Sequence, residues 1–150
     1  LEESLMKKTR AFHHKIVGYD KSKRAVTKAK ENIANAHLED FITIQHEDFF
    51  KTQRGGESKL HMVFNPPYGE RLDIEMESFY KNIGDTLKHN YHGSTAWLIT
   101  SDMQALKNVG LRTSKRIPLK NADLDCRFVK YELYEGSKRV KKDFESDNDA

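Results

Sequence analysis

Asn65-Pro66-Pro67-Tyr68 is the stretch of this chain whose residue types and spacing could act together on a ligand. The two prolines fix φ and remove two backbone donors, leaving the Asn65 amide and the Pro66 carbonyl free to accept hydrogen bonds. Tyr68 adds a flat face on which a planar group can stack. Two acceptors beside an aromatic plane suit a planar ligand with donors on its edge. The tetrad follows the apolar run from Leu60 to Phe64 and so sits where a strand ends, the position at which open α/β sheets place their chemistry. A Pro-Pro turn after a strand is the plain structural alternative. The continuation Gly69-Glu70-Arg71-Leu72 extends the signature to eight residues.

Composition bounds the answer. A chain of 150 residues has the length of one domain, and 37% apolar residues can support a single core. No run approaches the roughly 18 apolar residues of a membrane-spanning helix, and the N-terminus lacks a signal-peptide pattern. The lone Cys126 has no internal disulfide partner and is read as a core thiol in a reducing compartment. The cytoplasm is therefore the expected location. The seven histidines are scattered without partners at ligand spacing, so no metal is expected. Net charge is only +3, but residues 1–24 carry Lys7, Lys8, Arg10, Lys15, Lys21, Lys23 and Arg24 against Glu2, Glu3 and Asp20. A second basic cluster, Lys138, Arg139, Lys141 and Lys142, precedes an acidic end. Both clusters could follow a phosphate backbone, or serve as solvated charges with no partner.

The elements that must position the tetrad alternate along the chain. Residues 4–14 read as a weak helix, and Ile16-Val17-Gly18-Tyr19-Asp20 as a short buried strand ending in an acid. Ser22 is a plausible N-cap for a helix lined by Val26, Ala29, Ile33 and Ala36. Phe41 to Gln45 reads as a strand with Asp48 just beyond it, and residues 53–59 as a loop around Gly55-Gly56. After the strand into Asn65 comes a helix striped by Met76, Phe79, Ile83 and Leu87. Thr95 to Thr100 is a strand, and Asp102 caps a short helix reaching Val109. Leu111 to Leu119 and Arg127 to Tyr134 are the last strands, the latter alternating Val129, Tyr131 and Leu133 with polar neighbours. Strands separated by helices imply right-handed crossovers and a parallel sheet. Residues 136–150 read as a polar tail.

Asn-Pro-Pro-Tyr resembles the signature of S-adenosylmethionine-dependent methyltransferases that act on exocyclic amines of bases or on a glutamine side chain. Gly-Glu-Arg-Leu narrows the resemblance to the ribosomal RNA guanine-N2 methyltransferases of the UPF0020-like, THUMP-type family. The resemblance implies a Rossmann-like sheet, mostly parallel with an antiparallel C-terminal strand pair and helices on both faces. It implies that Asn65, Pro66, Pro67 and Tyr68 are catalytic. It also implies S-adenosylmethionine as cofactor, with Asp20 accepting from its ribose hydroxyls, Asp48 meeting its adenine amine, Phe49 lying against the ring and Asn65 near the transferred methyl. Ribosomal RNA is the implied partner, and Glu70 and Arg71 would read the base or brace the loop.

One departure stands out. The family's first strand runs into an acid followed by Gly-x-Gly, and no such sequence occurs here. The expectation is therefore a partial methyltransferase domain over residues 1–135, lacking the first strand and glycine loop, with a tail at 136–150 and activity belonging to the parent enzyme. Glutamine-N5 protein methylation, adenine-N6 DNA methylation and a non-catalytic RNA-binding relic are the alternatives.

Overall fold

A computed structural model describes residues 11–56, 59–68 and 74–134. The basic residues Lys7, Lys8 and Arg10, the signature residues Gly69 to Leu72, the tail at 136–150 and most of the helix expected over 4–14 lie outside the described residues. Residues 11–15 carry no regular structure. The chain divides into two compact units, Leu1–Thr52 and Gln53–Ala150.

In the first unit, β1 (Ile16–Asp20) and β2 (Ile42–His46) form a two-stranded parallel sheet in which Ile16 pairs with Ile42 and Asp20 with His46. The connecting helix α1 (Lys23–Asn35) begins where expected, because the Ser22 hydroxyl accepts from the Ala25 backbone N–H. The expectation of a buried β1 is overturned: Ile16, Val17 and Tyr19 are each nearly half exposed. A sheet's faces are buried by the layers packed on them, and α1 can cover only one face of this two-stranded sheet. Val26 is the one buried side chain among the described residues of this unit.

The second unit holds the substantial core. Its sheet runs β3 (His61–Phe64), β4 (Thr95–Thr100), β6 (Leu124–Glu132), β5 (Lys115–Asn121). β3 and β4 are parallel, whereas β6 lies antiparallel to both β4 and β5. The expected antiparallel terminal pair is present, with β5 starting four residues later than its sequence reading because residues 111–114 form an irregular connection. Helix α2 (Met76–Asn90) buries Tyr80, Ile83 and Leu87, and β4 and β6 bury Ala96, Leu98, Val129 and Tyr131. Each large apolar side chain removed from water contributes about 1.5–3 kcal/mol. The same core takes Ala105 and Leu106 from α3 (Met103–Leu106) and Val109 from the 3-10 turn that follows. Gly110, at φ 71°, ends that turn in the left-handed conformation favoured by glycine. Gly84 lets α2 approach closely, since a Cβ there would collide with the Val109 carbonyl oxygen. On the other sheet face, Trp97 and Phe128 stack with centroids 4.6 Å apart and Lys130 lies over Trp97. Cys126 is fully buried, as a core thiol should be.

Candidate functional site

Asn65 to Tyr68 leave the carboxyl end of β3 directly after Phe64, which pairs with Leu98. Asn65 is exposed and Pro66, Pro67 and Tyr68 are half-buried. The Asn65 side chain and the Pro66 carbonyl make no hydrogen bond to another described residue. The Pro67 carbonyl and the Tyr68 hydroxyl are occupied. The buried Tyr80 hydroxyl donates to the Pro67 carbonyl at 3.0 Å and lies 2.7 Å from Thr100 Oγ1, which accepts from the Asp102 N–H at 3.0 Å.

The direction of this chain follows from valence. A carbonyl can only accept, so the single Tyr80 proton goes to Pro67, and Thr100 must donate its own proton to Tyr80. Asp102 in turn caps α3 by accepting from Ala105 N–H at 2.9 Å. The loop is thus tied through Tyr80 and Thr100 to the start of a helix. Burial pushes the Tyr80 hydroxyl up to about 12, with the Thr100 hydrogen bond opposing that rise. Tyr80 is therefore a neutral donor throughout the physiological range. Tyr68 is also held, because its hydroxyl accepts from Asn121 Nδ2 at 2.7 Å.

Sequence reasoning missed both Tyr80 and Asn121. Tyr80 precedes Ile83 and Leu87 at helical spacing, and in the folded helix it replaces its neighbour Phe79 on the buried stripe. A polar-tipped aromatic on such a stripe is the signal that could have marked it, since a buried tyrosine hydroxyl requires a partner. Asn121 lies 53 residues from Tyr68 and carries no comparable local signal.

Asp20, Asp48 and Phe49 belong to the first unit, Asn65 to Tyr68 to the second. Asp20 and Asp48 stand at the carboxyl ends of the two parallel strands. One Asp20 oxygen accepts from Ser22 N–H at 2.8 Å, so Asp20 helps turn the chain into α1. One Asp48 oxygen caps a 3-10 turn by accepting from Phe50 N–H at 3.1 Å, and the other lies 3.9 Å from Lys21 Nζ. Each carboxylate keeps acceptor capacity beyond these bonds. Phe49 is half-buried beside Phe50, with ring centroids 5.9 Å apart. Two carboxylate acceptors, one of them beside the Phe49 ring, suit a ribose diol, an adenine amine and a purine face, so these acceptors fit the nucleoside end of S-adenosylmethionine.

A cavity of about 640 Å³ lies at the opposite end of the second sheet, lined by Lys88, Arg112 and Tyr131 among others, away from the tetrad. Among the described residues no His, Cys, Asp and Glu cluster could hold a metal, and no helix is long and apolar enough to cross a membrane.

Each unit sets a parallel strand pair beside helices, with Asp20 and Asp48 following strands of the first and Asn65 to Tyr68 following β3 of the second, and the class these elements define is the α/β methyltransferase-like fold. The chain belongs to the UPF0020 family, described as an RMKL-like methyltransferase domain, which matches residues 1–130. It is 33% identical over 125 residues to the ribosomal RNA large subunit methyltransferase K/L of Syntrophotalea carbinolica, covering 80% of this chain and 18% of that protein. The chain thus spans about a fifth of that relative's length. A possible methylase from Clostridium difficile 630 superposes with a TM-score of 0.75 at 25% identity, covering 91% of this chain and 36% of that one. An RNA methyltransferase from Salinibacter ruber, solved with S-adenosyl-L-homocysteine, shares the fold at TM-score 0.56 and 14% identity, with 82% and 68% covered.

Proposed function

We propose that the protein carrying these residues transfers a methyl group from S-adenosylmethionine to the exocyclic N2 amine of a guanine in ribosomal RNA. The observation that carries this reading is the division of labour in the tetrad. Tyr80 occupies the Pro67 carbonyl and Asn121 the Tyr68 hydroxyl, while the Asn65 amide and Pro66 carbonyl stay open. Two open acceptors are what an amine with two N–H donors requires.

The guanine amine is a weak nucleophile because its lone pair is delocalised into the ring. Hydrogen bonds to Asn65 Oδ1 and the Pro66 carbonyl favour a more tetrahedral nitrogen whose lone pair points out of the plane. Bound cofactor supplies the electrophilic sulfonium methyl. The task of the chain is then positioning and electrostatic complementarity more than strong base catalysis. The base must leave its stack to reach the site, and Tyr68 offers a face for it. Such stacking is worth roughly 1–3 kcal/mol per base, enough to offset much of the unstacking cost. Asp20, Asp48 and Phe49 have the chemistry to hold the cofactor's nucleoside.

Residues 1–135 are read as a methyltransferase domain without its first strand and glycine loop. This is supported by the absence of Gly-x-Gly from the sequence and by the two-stranded sheet of the first unit. Gly69 to Leu72 favour guanine in RNA over a glutamine or an adenine. Nucleoside analysis of ribosomal RNA from cells lacking the gene should show one N2-methylguanosine missing, restored by the purified full-length protein. An unchanged RNA profile with loss of a methylated glutamine in a release factor would overturn the RNA assignment and leave Asn65 acting on a different amine.

A further inference from the structure

The Asn121–Tyr68 contact joins the signature loop to the far strand of the sheet. Asn121 is the last residue of β5 and pairs with Leu124 across the two-residue turn Ala122–Asp123. Ala122 has φ 53°, in the left-handed region that a residue with a Cβ enters at a cost. Two-residue hairpin turns require such a positive φ to match the twist of their strands, so the tip is a tight turn that fixes where Asn121 stands. The hairpin is anchored through Cys126 and Val129, which are fully buried, whereas its tip exposes Leu119 and Leu124. A rigid base and a solvent-facing tip describe an arm that presents a side chain to a neighbouring loop.

A stacking ring is useful only if it is held where the base arrives. Tyr68 follows two prolines that set its backbone, but its ring still turns about two side-chain bonds. The Asn121 Nδ2–H to Oη bond, at 2.7 Å, pins the far end of that ring. We propose that the β5–β6 hairpin is part of the acceptor site and that Asn121 is a positioning residue, holding the long axis of the Tyr68 ring in place for the planar group stacked on it. This rests on the reading of Tyr68 as the stacking platform. It assigns the Tyr68 hydroxyl a function where sequence reasoning gave one only to the ring.

The test is a double-mutant cycle in the full-length protein, with methyl transfer to ribosomal RNA from cells lacking the gene as the assay. Asn121→Ala and Tyr68→Phe each remove one partner of the same bond. Each should raise KM for the RNA by about three- to tenfold, the range for one lost hydrogen bond, with kcat reduced less and cofactor affinity unchanged. The double variant should be no worse than either single variant, because a bond can be lost only once. A merely structural staple would lower the melting temperature and leave this split in KM and kcat absent. Wild-type kinetics in Asn121→Ala, or strictly multiplicative effects in the double variant, would overturn the inference while a defect in Tyr68→Ala kept the stacking reading intact. Wild-type kinetics in Tyr68→Ala would overturn both.

Discussion

Asn65 is the residue on which the proposed chemistry turns, and its exposed side-chain amide, unlike the Pro67 carbonyl and the Tyr68 hydroxyl, makes no hydrogen bond to another described residue. An acceptor that meets the target nitrogen mainly on the way to the transition state should affect turnover and not binding. Asn65→Ala in the full-length protein should lose about two or more decades in kcat, as for removal of one preorganised polar group. Its affinities for cofactor and RNA should stay near wild type, and single-turnover kinetics with equilibrium binding would separate the two. Tyr80 makes a different residue-level prediction. Burial raises the hydroxyls of Tyr80 and Tyr131 from near 10 to about 12. A folded-state pKa above the unfolded value stabilises the protein fully at pH below the unfolded value and loses that contribution as pH climbs through the folded one. Denaturation midpoints should therefore be insensitive to these groups below pH ~10 and fall between about 10 and 12. Tyr80→Phe should make that alkaline fall shallower, at the expense of the bond to Pro67.

Among the elements, α2 matters most for holding the signature loop, because its first turns carry Tyr80 and its middle packs on the turn that closes α3. Gly84 is the point of closest approach. The atoms that an added Cβ would meet are backbone, the Val109 carbonyl group and Cα, so no side-chain rotation relieves the clash. Gly84→Ala should destabilise the protein by about 1–3 kcal/mol or more despite alanine's better helix propensity, which is worth only ~1 kcal/mol in the opposite direction. Chemical denaturation would measure this. If α2 shifts to accommodate the methyl group, methyl transfer should fall with it, since Tyr80 moves with the helix.

At the scale of the whole molecule the two units are unequal. The second buries most of the apolar side chains, and the first buries Val26 alone among its described residues. The residues proposed to hold the cofactor's nucleoside lie in this sparsely cored unit, and the sequence contains no Gly-x-Gly. The isolated 150-residue chain should accordingly bind S-adenosylmethionine weakly or not at all. Calorimetric titration checks this, and a dissociation constant in the low-micromolar range would show that other residues replace the loop.

The order and type of most elements were legible in the amino-acid sequence because they depend on local physics. Ser22 and Asp102 announce helix starts by their capping chemistry, the short apolar run through Trp97, Leu98 and Ile99 reads as a strand, and the proline pair marks the end of β3. The tetrad's place at that strand end is equally local. What tertiary structure decided depends on partners far away in the chain. β1 reads as buried from its apolar residues but is half exposed, because burial is set by what packs on a strand and not by its own composition. Tyr80 reads as one more helix residue and proves to hold the Pro67 carbonyl, and Asn121 lies two residues past the strand read to Leu119 and proves to end β5 and hold Tyr68. Hydrogen bonds between side chains and loops 13 and 53 residues away leave no periodic trace in sequence, so the residues that shape the acceptor site became visible only once the sheet brought them together.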